Sequence, residues 1–574
     1  MKKHAKRMGQ IAEDWDEHWE RVVEVHIGSY ATLPSLCCRS VLHSSSLQIL
    51  SKVEYIGYRA KKNKFMIVIT LLGRFDLNAT SFKCSHPACG ITEEASVRNY
   101  VESGYWPGSP TRTCTLFTQT YMTHWFHTKH QIPSTAAMKY MEVSGKMSSE
   151  GGRVSIQNPV IYPIMFRTAS SQFSYINHMI DVDIKQDEKM RCKACVLPCM
   201  YSHFDVIFKL YRYKAARSGH FKSLYGDSVI VSDEKIEVHV ADETGLGSAC
   251  CRHGVVLVAA NLKTGENYRI VHFFQHFLWT IGYIYFCYDV ICNYEKFLKD
   301  LIKVSEGHLL HGEWARMSKE MVGFLSVLHG RTHTWDCQVI NNGRWREWAC
   351  ASLGEEQEQV FARFAKYGLV TKHMSPASRN DHLSEMIENH NKEKDDGMDY
   401  ALAKRAKKLM EVEDRCLHRD SNLGSFASPA NRLTITPPLS CEAKGKHGAV
   451  WCGSEKTCLA REEKVIQTKY EMKNYLESLA KIHSRLKEDK EIHTAIIQSW
   501  QESQVTLYPK SIQTYRGKLV LINTELQRLK LKVARAVALF RSYTYGDEAK
   551  KDSDFDSENY SDSDTDSNST EKDY

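Results

Sequence analysis

Four carboxylates stand out for their settings. Asp205 lies in HFDVIFKL (203–210) and Asp289 in YIYFCYDV (283–290), two runs that are otherwise largely apolar. An ionised carboxylate in such a strand is costly unless it is paired, hydrogen-bonded or bound to a cation. Glu355 and Glu358 follow in GEEQEQ (354–359), three apart, so a helix would put both on one side. Strand aspartates combined with a helix glutamate are suited to holding two divalent cations, and hard oxygen ligands favour Mg²⁺ or Mn²⁺. Two such ions, about 3.5–4 Å apart, activate the attacking oxygen and stabilise the leaving oxygen of an in-line phosphodiester displacement. The candidate ligands are Asp205, Asp289 and either Glu355 or Glu358. A solvated helix face accounts for the two glutamates equally well.

Thiols and imidazoles form a second set. Cys192 and Cys195 make a C-x-x-C pair and Cys199 follows four residues on. Three thiolates at that spacing share one Zn²⁺, with His203 or Cys84 available as a fourth ligand; three buried reduced cysteines are the plainer reading. Cys84, His86 and Cys89, with Cys114 as a further candidate, make a looser Zn²⁺ group. His329, His333 and Cys337 recur every four residues, one face of a helix, and either bind zinc or serve as ordinary core and surface groups. Arg252 and His253, a basic pair just before an apolar run, are placed to contact a DNA phosphate; the alternative is an arginine paired with Asp242 or Glu243. The basic stretch 401–410 reads as a nuclear import signal, a phosphate-contacting helix or a solvated helix face.

The elements that must position these residues are strands at 65–72, 203–210, 254–261 and 283–290, and helices over 115–147 (broken at Pro133), 353–368, 381–394 and 398–415. Residues 1–60 read as irregular and 420–460 as a linker. The stretch 461–542, with Leu521, Ile522, Leu526, Leu529 and Leu531 and an interruption at Pro509, reads as a helical hairpin or a self-associating coiled coil. The division expected is 1–60, 61–190, 191–395, 396–460, 461–546 and 547–574: an irregular N-terminal segment, a Cys/His-bearing region, an α/β domain, a linker and helix, a helical region and a disordered acidic tail.

The 574 residues carry a net charge of +7. The tail 547–574 holds eleven acidic residues and three lysines, a net −8, which leaves +15 on residues 1–546. A body so basic favours a polyanionic partner bound with strong salt dependence. Eighteen cysteines behind a basic N-terminus without an apolar run indicate a reducing compartment. The most apolar stretch, 271–291, is interrupted by His272, Gln275, His276 and Asp289 and falls short of the ~20 apolar residues of a membrane span.

Blocks of this sequence, taken in order, resemble one family. GRFDLNATSFKC (73–84), ESGYWPGSPTRTCTLFTQTYMTHWF (102–126) and IPSTAAMKYME (132–142) look like the cysteine-cluster region that precedes Kyakuja-Dileera-Zisupton (KDZ) transposase domains. CKACVLPC (192–199) leading into FDVIFKL is similar to the family's first catalytic strand. DETGLGSACCRHGVVLVAANLKTGENY (242–268) resembles its Cys-Arg-His-Gly block, and YDVICNY (288–294) its second-aspartate motif. LHGRTHTWDCQ (328–338), GEEQEQ (354–359) and KHMSPASRNDHL (372–383) follow in the expected order. The resemblance spans roughly residues 65–395 and implies an RNase H-like core with a helical insertion, a Cys-rich N-terminal region and a helical C-terminal region. Asp205 would then sit on the first strand, 254–261 would be the second, the segment around Tyr268 the third, and Asp289 would lie on the fourth, with Glu355 or Glu358 on a later helix. It also implies a nuclear, DDE-type transposase that cleaves transposon ends and joins them to target DNA, acting as a homo-oligomer. Relatives carry a longer cysteine cluster ahead of residue 60, where this chain has only the adjacent Cys37 and Cys38. That departure favours the alternative, a catalytically silent domesticated DNA- or chromatin-binding protein.

Overall fold

A computed structural model describes residues 2–29, 65–78, 81–83, 92–94, 96–111, 114–153, 163–197, 200–213, 222–231, 243–263, 265–343, 355–420, 448–502 and 510–544. The chain opens with a helix, α1 (Lys2–Ser29), where an irregular segment was expected. Its apolar residues fall at helical spacing: Trp15, Val22 and Ile27 are buried, and Trp15 stacks on Trp106 at 5.7 Å between ring centroids. That stripe needed a partner surface before it could be recognised, because the surrounding residues are charged.

Two small sheets follow. Strands β1 (Phe65–Thr70) and β2 (Gly73–Asn78) form a hairpin, and β3 (Ser81–Lys83) and β4 (Thr92–Glu94) form a separate antiparallel ribbon. After α2 (Val97–Glu102), strands β5 (Tyr105–Pro107) and β6 (Thr115–Thr118) complete a four-stranded sheet ordered β2-β1-β6-β5. The expected helix over 115–147 resolves into β6, α3 (Gln119–Gln131) and α4 (Ala137–Glu150). Together with α5 (Pro163–Met179) these close an aromatic core around Trp106, Phe117, Tyr121 and Phe166.

The central sheet is mixed. Its strands are β7 (Tyr201–Ile207), β8 (Ile230–Val231), β9 (Gly245–Cys251), β10 (Val256–Leu262), β11 (Tyr285–Cys287) and β12 (Val322–Phe324), in the order β12-β11-β7-β9-β10-β8. Strands β7, β9 and β10 form an antiparallel meander, whereas β11 runs parallel to β7 and β12 parallel to β11. The second strand is therefore Gly245–Cys251 and the third Val256–Leu262. Tyr268 instead begins a helix, α6 (Tyr268–Thr280), capped by the Asn267 side chain. The small residues of GLGSACC hid a strand: with little apolar bulk it has no alternation to read, yet every one of its residues is buried.

Helices α7 (Ile291–Val304), α8 (His311–Glu320) and α9 (Trp335–Asn341) form an insertion after β11, interrupted by β12. Next come α10 (Glu356–Phe364), α11 (Gly368–Thr371), α12 (Pro376–Asp396) and α13 (Met398–Asp420). Alternation along the strands divides the sheet into two apolar faces. Ile207, Leu246, Cys250 and Val256 pack with Val360, Phe361, Leu383 and Ile387 of α10 and α12. On the other face Phe204, Ala249, Cys251 and Val258 belong to a core that takes in Phe274 and, from the last two helices α14 (Gly448–Glu502) and α15 (Lys510–Thr544), Met472, Leu479, Leu526 and Phe540.

The C-terminal helices therefore belong to the α/β core. Leu521, Ile522, Leu526 and Leu529 are buried in the chain's own interior, while Leu531 is exposed. The stripe read as a self-association seam is thus occupied by the same polypeptide. In the basic stretch 401–410, Leu402 and Ala406 are buried in the same core and Lys404, Lys407 and Lys408 face solvent. Among the described residues no helix is long and apolar enough to cross a membrane.

Candidate active site and thiol clusters

Three elements bring acidic side chains near one another, and a fourth adds an imidazole. Asp205 is half-buried on β7, and Asp289 lies two residues beyond the end of β11, the neighbouring parallel strand. Glu358 is exposed in the first turn of α10, which is fixed over the sheet by Gln357. The Gln357 backbone N–H donates to His203 Nδ1 at 3.4 Å, and its side-chain amide donates to the Ser248 hydroxyl at 2.6 Å. His329, in a 3-10 turn (His329–Thr332) after β12, joins the acids. Its Nδ1 is 3.3 Å from Asp289 Oδ2 and its Nε2 is 3.7 Å from Glu358 Oε1.

The electrostatics show a crowd of like charges. Burial pushes Asp205 up to about 8, and Asp289, Glu358 and Glu266 push it the same way, against a hydrogen bond from the Val206 N–H. Asp289 is also raised, by burial first, with His329 opposing and Glu358 reinforcing. Asp289 Oδ1 is buried with no hydrogen-bond partner among the described residues. Glu358, rather than Glu355, is the glutamate grouped with Asp289. Glu355 precedes the helix at its N-cap, so the helical spacing that would have aligned the two does not hold across that boundary. Glu356, between them, turns to the sheet and accepts a 2.6 Å hydrogen bond from the Tyr201 hydroxyl.

Cys192 and Cys195 meet Cys251 and His253, all four ligand atoms lying within 4.8 Å of one another. His253 Nδ1 is 3.5 Å from the Cys192 sulfur, 3.5 Å from that of Cys195 and 3.9 Å from that of Cys251. With Zn–S near 2.3 Å and Zn–N near 2.0–2.1 Å, a tetrahedral ion sets the S···N edge at about 3.5 Å. The turn between β9 and β10 makes this possible. Gly254 has φ +72°, the Gly254 N–H donates to the Cys251 carbonyl, and the His253 N–H points at the Cys251 sulfur. Behind the ring, His253 Nε2 is 3.2 Å from Glu471 Oε2 of α14. A carboxylate on the far nitrogen of a metal-binding imidazole fixes its tautomer and orientation.

This placement removes the phosphate-contact role expected of Arg252 and His253. Both are buried, and Arg252 is paired at 3.2 Å with Glu471, which also receives Arg405 at 2.9 Å. Glu243 pairs with Arg212, and Asp242 lies outside the described residues. His203, expected as a fourth zinc ligand, is instead under α10, where burial lowers its pKa to about 3. Cys199, Cys84, His86, Cys89, Cys37 and Cys38 lie outside the described residues, and Cys114 is an exposed free thiol. The expected single face of His329, His333 and Cys337 is split: His329 joins the carboxylates, whereas His333 and Cys337 meet Cys292. The C-x-H of Cys251–His253, half of a zinc-ligand pattern beside C-x-x-C, was the available signal for the completed cluster. Nothing local to Glu471 marked it.

Comparison with known families covers two stretches. Residues 37–151 match the model described as CxC3 like cysteine cluster associated with KDZ transposases, and residues 229–391 match that of the Kyakuja-Dileera-Zisupton transposase. The second match includes Asp289 and Glu358 and begins after Asp205. No curated protein and no solved structure matches the chain. Both models match in the order the sequence blocks suggested, so the chain contains a region of KDZ transposase type, preceded by the cysteine-cluster region associated with such transposases.

Proposed function

We propose that the chain is a nuclear DDE-type DNA transposase whose catalytic carboxylates are Asp205, Asp289 and Glu358. The observation that carries this reading is the meeting of Asp289, just beyond one strand, with Glu358 of an overlying helix, beside the parallel strand that carries Asp205, with a buried Asp289 oxygen left without a partner among the described residues. The strand order supports an RNase H-like core: a three-stranded antiparallel meander extended by two parallel strands, with the aspartates on or just after the first and fourth. The carboxylates around a raised Asp205, with the His329 imidazole beside them, fit a hard divalent cation, because a cation offsets the mutual repulsion that now favours protonation. Bound there, Mg²⁺ or Mn²⁺ would supply Lewis-acid activation of the attacking hydroxyl and stabilise the leaving oxygen. The protein's own part is positional. Gln357 and Ser248 seat α10, and His329 holds one Asp289 oxygen, the other being buried without a hydrogen-bond partner among the described residues.

Cys192, Cys195, Cys251 and His253 fit Zn²⁺ as a closed four-ligand site, a structural arrangement that ties β9 to the segment before β7 and, through Glu471, to α14. DNA is the partner that the KDZ match and the basic body support.

The test is Mg²⁺- or Mn²⁺-dependent cleavage of DNA carrying the element's ends. Asp205→Asn, Asp289→Asn and Glu358→Gln are each expected to lower the rate by at least about 100-fold, while Glu355→Gln stays within a few-fold of wild type. Equal losses for Glu355→Gln and Glu358→Gln would remove the assignment of the third carboxylate. A wild-type chain that folds, binds DNA and never cleaves would identify the silent, domesticated alternative.

A further inference from the structure

Cys292 is the second residue of α7, three residues beyond Asp289. His333 follows the 3-10 turn that carries His329, and Cys337 lies in the first turn of α9. The fold brings these two segments together: His333 Nδ1 is 3.8 Å from the Cys292 sulfur and 3.5 Å from the Cys337 sulfur. All three ligand atoms lie within 4.8 Å of one another. Those separations are close to the edges of a tetrahedral zinc site, about 3.5 Å for S···N. Both sulfurs have polar surroundings. Cys292 sits at the positive end of a 14-residue helix. The Asn341 amide donates to the Cys337 sulfur at 3.4 Å. The His333 backbone is held by a 2.8 Å hydrogen bond from the Gln338 side chain to its carbonyl. Each of the three side chains is half-buried, so an ion can reach them from solvent.

We propose that Cys292, His333 and Cys337 bind a Zn²⁺ of their own, separate from the buried four-ligand cluster, and that this ion clamps the 329–341 segment to the helix that follows Asp289. The soft thiolates select zinc over the hard cations suited to the neighbouring carboxylates. Because His329 lies on the clamped segment, the ion holds in place the imidazole that lies between Asp289 and Glu358.

The experiment is zinc content per folded full-length chain, measured for wild type and for C292S/C337S. One zinc fewer in the variant is expected, together with faster amide exchange across 329–341. Equal zinc content would overturn the site, and lost zinc with unchanged exchange would overturn the clamp. Should the double variant fail to fold, His333→Gln keeps both thiols. Alkylation of Cys292 and Cys337 is then expected to speed up about tenfold while Cys192 and Cys195 stay protected. Unchanged alkylation would overturn the proposal. Neither readout depends on DNA cleavage, so the zinc site stands or falls independently of the transposase reading.

Discussion

The buried thiol cluster and the carboxylate cluster sit on the same sheet and solve opposite problems. Around His253, each partner balances another. Two cations, Arg252 and Arg405, and the imidazole converge on the fully buried Glu471, whose pKa those partners, against burial, bring down to about 2. Around Asp205, acids face acids, one buried oxygen has no partner and the carboxyl is raised to about 8. The first arrangement is closed and stabilising. The second stays charge-frustrated until something positive arrives. Perturbed groups of that kind gather where chemistry is done, whereas satisfied buried networks gather where the fold is held.

Breaking the balanced side should cost the most stability. Glu471→Ala removes the buried carboxylate that Arg252, Arg405 and His253 share. The expected loss is about 3–5 kcal/mol in chemical denaturation, with zinc affinity reduced about 10–100-fold. A loss below 1 kcal/mol would mean the two clusters do not differ as described.

Relieving the frustrated side should do the reverse. Asp205 is raised in the folded chain from an ordinary carboxylate value near 3.9. Between pH ~4 and ~8 the folded state keeps a proton that the unfolded state releases, so this residue makes stability fall as pH rises through that window. Asp205→Asn removes the effect. In metal-free protein it should raise stability on the order of 3 kcal/mol at pH 8 and little at pH 4. Mg²⁺ should stabilise wild type most at high pH and the variant hardly at all. A variant less stable than wild type at pH 8 without metal would contradict the electrostatic account.

The smallest expected effect concerns positioning. Ser248→Ala removes the acceptor for the Gln357 amide beneath α10. A cost of about 1 kcal/mol is expected. The Mg²⁺ concentration for half-maximal thermal shift should rise while zinc content stays the same. A change in zinc content would show that the two clusters are coupled through β9.

Much of the candidate site was legible because strand aspartates in apolar runs are conspicuous. Asp205 and Asp289 stood in HFDVIFKL and YIYFCYDV, and the structure sets those strands side by side. The C-x-x-C of Cys192 and Cys195 was visible for a similar reason, since its spacing is local. The choice between Glu355 and Glu358 was not legible, because it depends on where α10 begins. His253 was misread because a basic pair ahead of a strand looks the same whether it faces DNA or folds back through a positive-φ glycine onto two thiols. The strand Gly245–Cys251 went unseen because it has too little side-chain bulk to alternate.

What the sequence by itself determined is the inventory and its order: acids in strands, thiols at short spacings, a basic body with an acidic tail, and family blocks in succession. Those properties depend on neighbours along the chain. Only the tertiary structure decided which of these residues meet. It turned the C-terminal helices inward to deliver Glu471, separated His329 from His333, and brought Cys292 to Cys337. The physical reason is that such contacts join residues tens to hundreds of positions apart, and their geometry follows from how the apolar faces of the sheet and helices pack, which no local pattern encodes.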